Sequence, residues 1–198
     1  MYIIGIDEVG RGSLAGPVVV AAVALPAGAR FRNLKDSKKL SADKREEWFA
    51  YVKKESIAYT VARVYPKGID IINISGAANL AAVKSFSRLL GRLGIKRQKN
   101  LKIFLDGGLY LTKSRPHSIK FENWQTKTII KGDEKINAIK LASIVAKVTR
   151  DKYMKRLHNS YPQYNFHINK GYGTKNHIKS IKKHGSSEVH RRSFVLKS

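Results

Sequence analysis

At 198 residues the chain suits one domain with a proper core, and its 39 lysines and arginines against 14 aspartates and glutamates give a formal net charge of +25. Cysteine is absent, which excludes disulfides and thiolate zinc sites and suits a reducing cytoplasm. No apolar run approaches the ~20 residues that span a bilayer and no signal-peptide pattern precedes the first strand, so the polyanion this charge attracts is expected to be nucleic acid rather than a membrane surface.

The first third reads as strands. "MYIIGID" (1–7) and "PVVVAAVAL" (17–25) are short, apolar and β-branched, and "IAYTVARVY" (57–65) is a third such run. Between the last two, Ser41 is placed to cap a helix with Asp43 in its first turn and Trp48, Phe49 and Val52 on its inner side. From Asp70 to Gly94 the pattern is helical, with Leu80, Val83, Leu90 and Leu93 as its apolar stripe. "LKIFLD" ends at Asp106 as another buried strand before the turn pair Gly107 and Gly108, and a short strand around "KTIIKGD" is expected to reach Asp133. The longest helical segment spans 136–158, with Leu141, Val145 and Val148 on one face and Lys140, Ser143, Lys147 and Arg150 on another. "YPQYNFHINKGYGT" (161–174) reads as an aromatic loop, "KNHIKSIKKH" as a short basic helix stopped by Gly185, and "HRRSF" (190–194) closes the series. This order predicts an α/β fold: a central mixed β-sheet flanked by helices on both faces, with 151–198 as a C-terminal helical region against a core of about 1–150.

Three strand-like segments end in acids: Asp7 with Glu8, Asp106, and Asp133 with Glu134. In α/β sheets the ligand crevice lies beyond the carboxyl ends of the strands, so neighbouring strands would bring four carboxylates to one sheet end. Such a cluster repels itself unless cations neutralise it, and hard oxygen donors in that number suit Mg²⁺ or Mn²⁺. On a basic chain this points to phosphodiester chemistry, in which two divalent ions activate a water and stabilise the leaving oxygen while lysines and arginines hold the polyanion. Each acid alone also reads as a turn or capping residue. Adjacent strand residues point to opposite faces, so Asp7 and Glu8 share a site only if the chain turns between them, a turn for which Gly10 is close by.

The residues by themselves leave two functions open: a metal-dependent nuclease, and a non-catalytic basic nucleic-acid-binding protein whose acids are structural. A phosphate loop built on Gly10, Gly12 and Gly16 is weaker, because Asp7 and Glu8 would repel its ligand and GxxxxGK[ST] is absent. The six histidines lack ligand spacing and read as surface or hydrogen-bonded side chains.

"GIDEVGRGSLAGPVVVAAV" (5–23) resembles the opening signature of the ribonuclease HII family. "LKDSKKLS" (34–41), "FLDGG" (104–108), "IIKGDEK" (129–135), "ASIVAKVTRD" (142–151), "NKGYGTKNH" (169–177) and "HRRSF" resemble its later blocks in the same order, so the resemblance runs from Ile3 to Phe194. It implies an RNase H-like fold. It also implies a metal-dependent endoribonuclease that cleaves the RNA strand of RNA/DNA hybrids and nicks duplex DNA 5′ of embedded ribonucleotides, leaving 3′-hydroxyl and 5′-phosphate ends. The implied ligands of two Mg²⁺ or Mn²⁺ ions are Asp7, Glu8, Asp106 and Asp133, the last chosen over Glu134 because the family's "KGD" places the ligand at the aspartate.

Gly10, Arg11 and Gly12 match the family's ribonucleotide-reading triplet, where lack of bulk lets backbone groups approach the 2′-hydroxyl and the arginine reaches phosphate. Tyr172, in "KGYG", matches the tyrosine that packs against the sugar following the ribonucleotide; the residues alone would make it a turn aromatic. Lys38, Lys39, Lys147, Arg191 and Arg192 are expected phosphate contacts, with solvated surface charge as the other reading of each. A cytoplasmic monomer is expected, with no protein partner indicated. Gly108 stands where many relatives have asparagine, and "NISGAANLAAV" (73–83) departs from the family's pattern, with Gly76 and Ala78 read as helix-packing residues. Ribonuclease HIII, the nearest family in the superfamily, carries a different triplet and an additional N-terminal domain.

Overall fold

The β-branched runs form one mixed sheet. The computed structural model describes residues 1–55, 57–95, 101–111 and 124–195, so His117 and the last three residues lie outside the described part. The strands are β1 (Tyr2–Val9), β2 (Val18–Pro26), β3 (Tyr59–Val64), β4 (Leu101–Asp106) and β5 (Thr126–Ile129). Their order across the sheet is β3-β2-β1-β4-β5. The three consecutive strands β1, β2 and β3 pair antiparallel, whereas β1 with β4 and β4 with β5 pair parallel. The helices are α1 (Ala42–Lys54), α2 (Pro66–Arg92), α3 (Gly132–Lys135), α4 (Asn137–Ser160), α5 (Phe166–Asn169), α6 (Lys175–His184) and α7 (Arg192–Val195).

Strand alternation sorts the side chains into two layers. Ile4, Ile6, Val18, Val20, Ile103 and Leu105 pack against α2. Ile3, Val9, Ala21, Val23 and Leu25 face α1 and α4. Gly5 belongs to the second face, and a Cβ there would lie 2.2 Å from the Ala138 carbonyl carbon, so glycine is what lets α4 lie directly on β1. The third cluster, Ala15, Met154, Tyr164 and Phe166, fastens the C-terminal elements to the far end of α4.

Local chemistry sets the element ends. The Ser41 hydroxyl accepts the Lys44 N–H at 3.2 Å and starts α1. Pro66 occupies the first turn of α2, ahead of the expected start at Asp70. This helix breaks at Asn73 (φ 58°), whose Oδ1 then accepts the Gly76 N–H at 2.9 Å and caps the second half. Of the expected stripe of α2, Leu90 is buried and the other three are corrected. Ala77, Ala78, Ala81 and Ala82 are the fully buried positions beside Phe86 and Leu89, and Leu80, Val83 and Leu93 sit at the margin. Small residues bring the helix close to the sheet, and larger ones seal its flanks.

Two further expectations change. The strand expected to reach Asp133 stops at Ile129; Lys131 adopts a left-handed conformation (φ 55°) and Asp133 lies in the helical turn α3. The segment 161–174, expected as a loop, contains a 3₁₀ turn at Pro162–Tyr164 and the turn α5. Among the described residues no helix is long and apolar enough to cross a membrane.

Candidate active site

The acids gather where β1 and β4 end side by side. The parallel register sets Ile6 against Leu105, so the next residues along, Asp7 and Asp106, stand side by side on the α4 face. The turn α3 adds Asp133 from beyond β5. One carboxylate oxygen from each of Asp7, Asp106 and Asp133 lies within 4.8 Å of the others. Glu8, of opposite parity, points to the α2 face, where its Oε1 meets Arg11 Nη1 at 3.4 Å. No turn separates Asp7 from Glu8: β1 continues to Val9, and the chain turns only afterwards, at Gly10 (φ 90°). Both carboxyls nonetheless line one open cleft, because they lie on the part of β1 that runs past its pairing with β4.

Each acid is oriented by its surroundings. Asp7 is buried; its Oδ1 accepts the Glu8 N–H at 2.7 Å, and the Ser143 hydroxyl, itself 2.7 Å from Ser37 Oγ, bonds the same carboxyl. Asp106 Oδ1 accepts the Gly132 N–H at 2.7 Å. A side chain at Gly132 would strike Ile139 and Asp106, so glycine lets α3 close against β4. Asp133 Oδ2 takes the Lys38 ammonium at 2.8 Å. That ion pair raises the Lys38 pKa. Burial, then the Glu8 and Asp106 charges, push the Asp7 carboxyl well above its ordinary value. Burial raises Glu8 to about 7 against the opposing pull of Arg11, and Asp106 adds to the rise.

These residues fit divalent cations. All donors are hard oxygens, the Glu8 and Asp106 charges raise the Asp7 pKa, and Glu8 Oε2 is buried with no hydrogen-bond partner among the described residues. A mobile ammonium on Asp133 is the only counter-charge that reaches the trio by a salt bridge among those residues.

Other expected site residues fall in distinct places. Arg11 spans Glu8 and Ser75, with its Nη2 3.1 Å from the Ser75 hydroxyl. Gly12 has open space where a Cβ would stand, whereas a Cβ on Gly10 would meet Arg150 Nε at 2.3 Å. Tyr172 lines the cleft with the Arg150 guanidinium 5.5 Å over its ring. Lys147 also lines the cleft and pairs with Asp151 at 2.9 Å. Lys39 and Arg192 are exposed.

Arg191 is not at the surface. Its guanidinium is fully buried and donates to the carbonyls of Gly10 (2.6 Å), Arg11 (2.7 Å) and Gly16 (3.0 Å). The expected phosphate contact is therefore corrected to an internal brace of the loop after β1. Arg150, expected on a polar helix face, is its counterpart, donating to Ala15, Pro17 and Lys170 carbonyls. Among the described residues neither guanidinium pairs with a carboxylate, and burial, followed by the Arg150 charge, lowers Arg191 to about 9.

Sequence reasoning missed Ser37 and Arg45 at the cleft and the inward turn of both arginines. It also missed a buried pair, His177 and His190, whose rings meet at 3.1 Å. A cation that bonds backbone carbonyls leaves no complementary acid in the sequence to find.

Comparison with known proteins agrees with this geometry. A profile of the ribonuclease HII family matches residues 4–197. Ribonuclease HII of Caldicellulosiruptor bescii is 42% identical over 194 residues, covering 98% of this chain and 86% of that one. The Syntrophus aciditrophicus ribonuclease HII is 43% identical over 196 residues, covering 99% and 85%. Among solved structures, ribonuclease H2 from Pyrococcus horikoshii superposes with a TM-score of 0.71 at 27% identity, covering 100% of this chain and 96% of that one. Bst-RNase HIII, solved in complex with Mn²⁺, shares the fold with a TM-score of 0.77 at 18% identity over 100% of this chain and 68% of its own. The mixed sheet and its flanking helices are thus an RNase H-like fold, and the chain belongs to the ribonuclease HII family, endoribonucleases that cleave the RNA of RNA/DNA hybrids.

Proposed function

We propose that this ribonuclease also nicks duplex DNA immediately 5′ of an embedded ribonucleotide, with two Mg²⁺ or Mn²⁺ ions held by Asp7, Glu8, Asp106 and Asp133. The observation that carries the reading is the convergence of three aspartate oxygens within 4.8 Å beside a buried, unpartnered glutamate oxygen. When bound, such ions lower the pKa of a water and neutralise charge on phosphate oxygens. The chain's own residues do the positioning. Ser143 and the Glu8 N–H hold the Asp7 carboxyl, the Gly132 N–H aims Asp106, and Lys38 balances Asp133. Water attacks the phosphorus in line, its proton passes to solvent, and the 3′-oxygen leaves, giving 3′-hydroxyl and 5′-phosphate ends.

Recognition falls to the loop after β1. Gly12, open on the Cβ side, lets backbone approach the 2′-hydroxyl, and Arg11 is free to exchange its long contact with Glu8 for phosphate. Tyr172 offers its ring to the following sugar, and Lys38, Lys39, Lys147 and Arg192 face the backbone. Arg191 acts on the substrate only through the Gly10 and Arg11 backbone.

The test is a labelled duplex carrying one ribonucleotide, incubated with and without Mg²⁺ and mapped to single-nucleotide resolution. A metal-dependent nick directly 5′ of the ribonucleotide is expected, and Asp7→Asn abolishes it while keeping duplex affinity near the parent value. Tight binding without a nick in Mg²⁺ or Mn²⁺ would overturn the reading.

A further inference from the structure

The motifs "NKGYGTKNH" and "HRRSF" contribute one contact that catalysis leaves unexplained. His177 and His190 are both buried, and their Nε2 atoms stand 3.1 Å apart. The Ser187 N–H donates to His190 Nδ1 at 3.0 Å, with the Ser187 hydroxyl 2.9 Å from the same nitrogen. That nitrogen therefore carries a lone pair, and the His190 proton is on Nε2. It must donate to His177 Nε2, which leaves the His177 proton on Nδ1, 2.8 Å from the Tyr172 carbonyl. Only this placement of two protons satisfies every contact, and both rings must be neutral.

The chain of bonds joins two parts of the substrate surface. One end is the backbone of Tyr172. At the other, His190 precedes Arg191, whose guanidinium grips the Gly10 and Arg11 carbonyls. We propose that His177 and His190 are positioning residues for ribonucleotide recognition, a neutral link with fixed tautomers that holds the Tyr172 loop in register with Gly10–Gly12. The inference rests on the substrate roles given above to those residues.

The surroundings oppose a second proton. Tyr164 and Phe166 pack on the pair, with ring centroids 4.7 Å and 5.7 Å from His190. The Tyr164 hydroxyl is committed to the Gly185 carbonyl, and Glu188 to the Tyr161 hydroxyl. Ile181, one turn along α6, is apolar. Protonating His177 would set N–H against N–H across the 3.1 Å contact, and protonating His190 would set its Nδ1–H against the Ser187 N–H; either opens the link.

Ring ¹⁵N NMR of the whole protein tests the tautomers. At pH 7 the link requires Nδ1–H on His177 and Nε2–H on His190, with neither titrating near the ordinary pH of ~6.5. Inverted tautomers or ordinary titration would overturn it. Kinetics on the one-ribonucleotide duplex test the positioning. His177→Leu is expected to raise KM about tenfold with kcat little changed, the effect of stranding one buried carbonyl. His177→Asn, which keeps an N–H for the Tyr172 carbonyl, is expected to restore most of it. In a Tyr172→Ala background His177→Leu should add nothing further; full additivity would overturn the proposal. If Tyr172→Ala alone leaves KM unchanged, the substrate role of Tyr172 fails, a result distinct from wrong tautomers. His190→Asn, which retains an acceptor for Ser187, provides the same KM test if His177→Leu does not fold.

Discussion

Arg191→Lys separates a brace from a phosphate contact. In a surface phosphate contact the exchange preserves the charge and most of the affinity. In the buried site it does not, because three nitrogens reach three carbonyls, those of Gly10, Arg11 and Gly16, and a single ammonium cannot stand in all three places. Two carbonyls left without donors cost about 2 kcal/mol each, about 4 kcal/mol in all. The burial penalty of the charge is not relieved, since lysine brings its own. For a domain of this length 1 kcal/mol lowers Tm by about 2–4 °C, so the expected fall is about 8–16 °C. Thermal unfolding followed by circular dichroism reads this directly, and duplex binding across a salt series supplies the control. The salt slope should stay at the parent value, whereas loss of a true phosphate contact makes it shallower by about one. An unchanged Tm together with a shallower slope would refute the brace and reinstate the surface contact.

Three further outcomes follow from the structure. Gly5→Ala sets a Cβ 2.2 Å from the Ala138 backbone, which no rotamer can relieve; a loss of about 3 kcal/mol is expected by chemical denaturation, with weaker activity because α4 carries Ser143. Mg²⁺ or Mn²⁺ at a hundred times its dissociation constant should stabilise the parent by about 2.7 kcal/mol and Asp106→Asn much less, as measured by Tm in titrations. Burial and the neighbouring His177 lower His190 to about 4, so the unfolded chain binds the additional proton as pH falls below about 6.5. The parent should therefore lose stability relative to His190→Asn between about pH 6.5 and 4, by up to about 3 kcal/mol, in paired urea melts at each pH.

The strands and the acid cluster were legible because their signals are local. β-Branched runs mark β1, β2 and β3, Ser41 marks the start of α1, and an acid at the end of a buried run marks a sheet end. The rest depended on contacts between distant residues. Asp133 sits in a helical turn because Lys131 goes left-handed and Gly132 packs on Ile139 and Asp106, which the run "KTIIKGD" does not reveal. The stripe of α2 was misjudged in its first half, where Ala77, Ala78, Ala81 and Ala82 are buried while Leu80 and Val83 are only partly so. Arg150 and Arg191 read as surface cations because their partners are carbonyls, which every residue carries. The histidine pair joins positions 13 apart whose spacing suggests no ligand set, and only the fold sets their rings together.

The brace from Arg191 to Gly10 spans 181 residues, and it gives the protein a chronology. During synthesis every acid of the cluster has been made once residue 133 is in place. The loop after β1 still has no donor for the Gly10, Arg11 and Gly16 carbonyls until position 191 clears the exit tunnel. A nascent or prematurely terminated chain that stops short of residue 191 therefore lacks the donors that hold this loop.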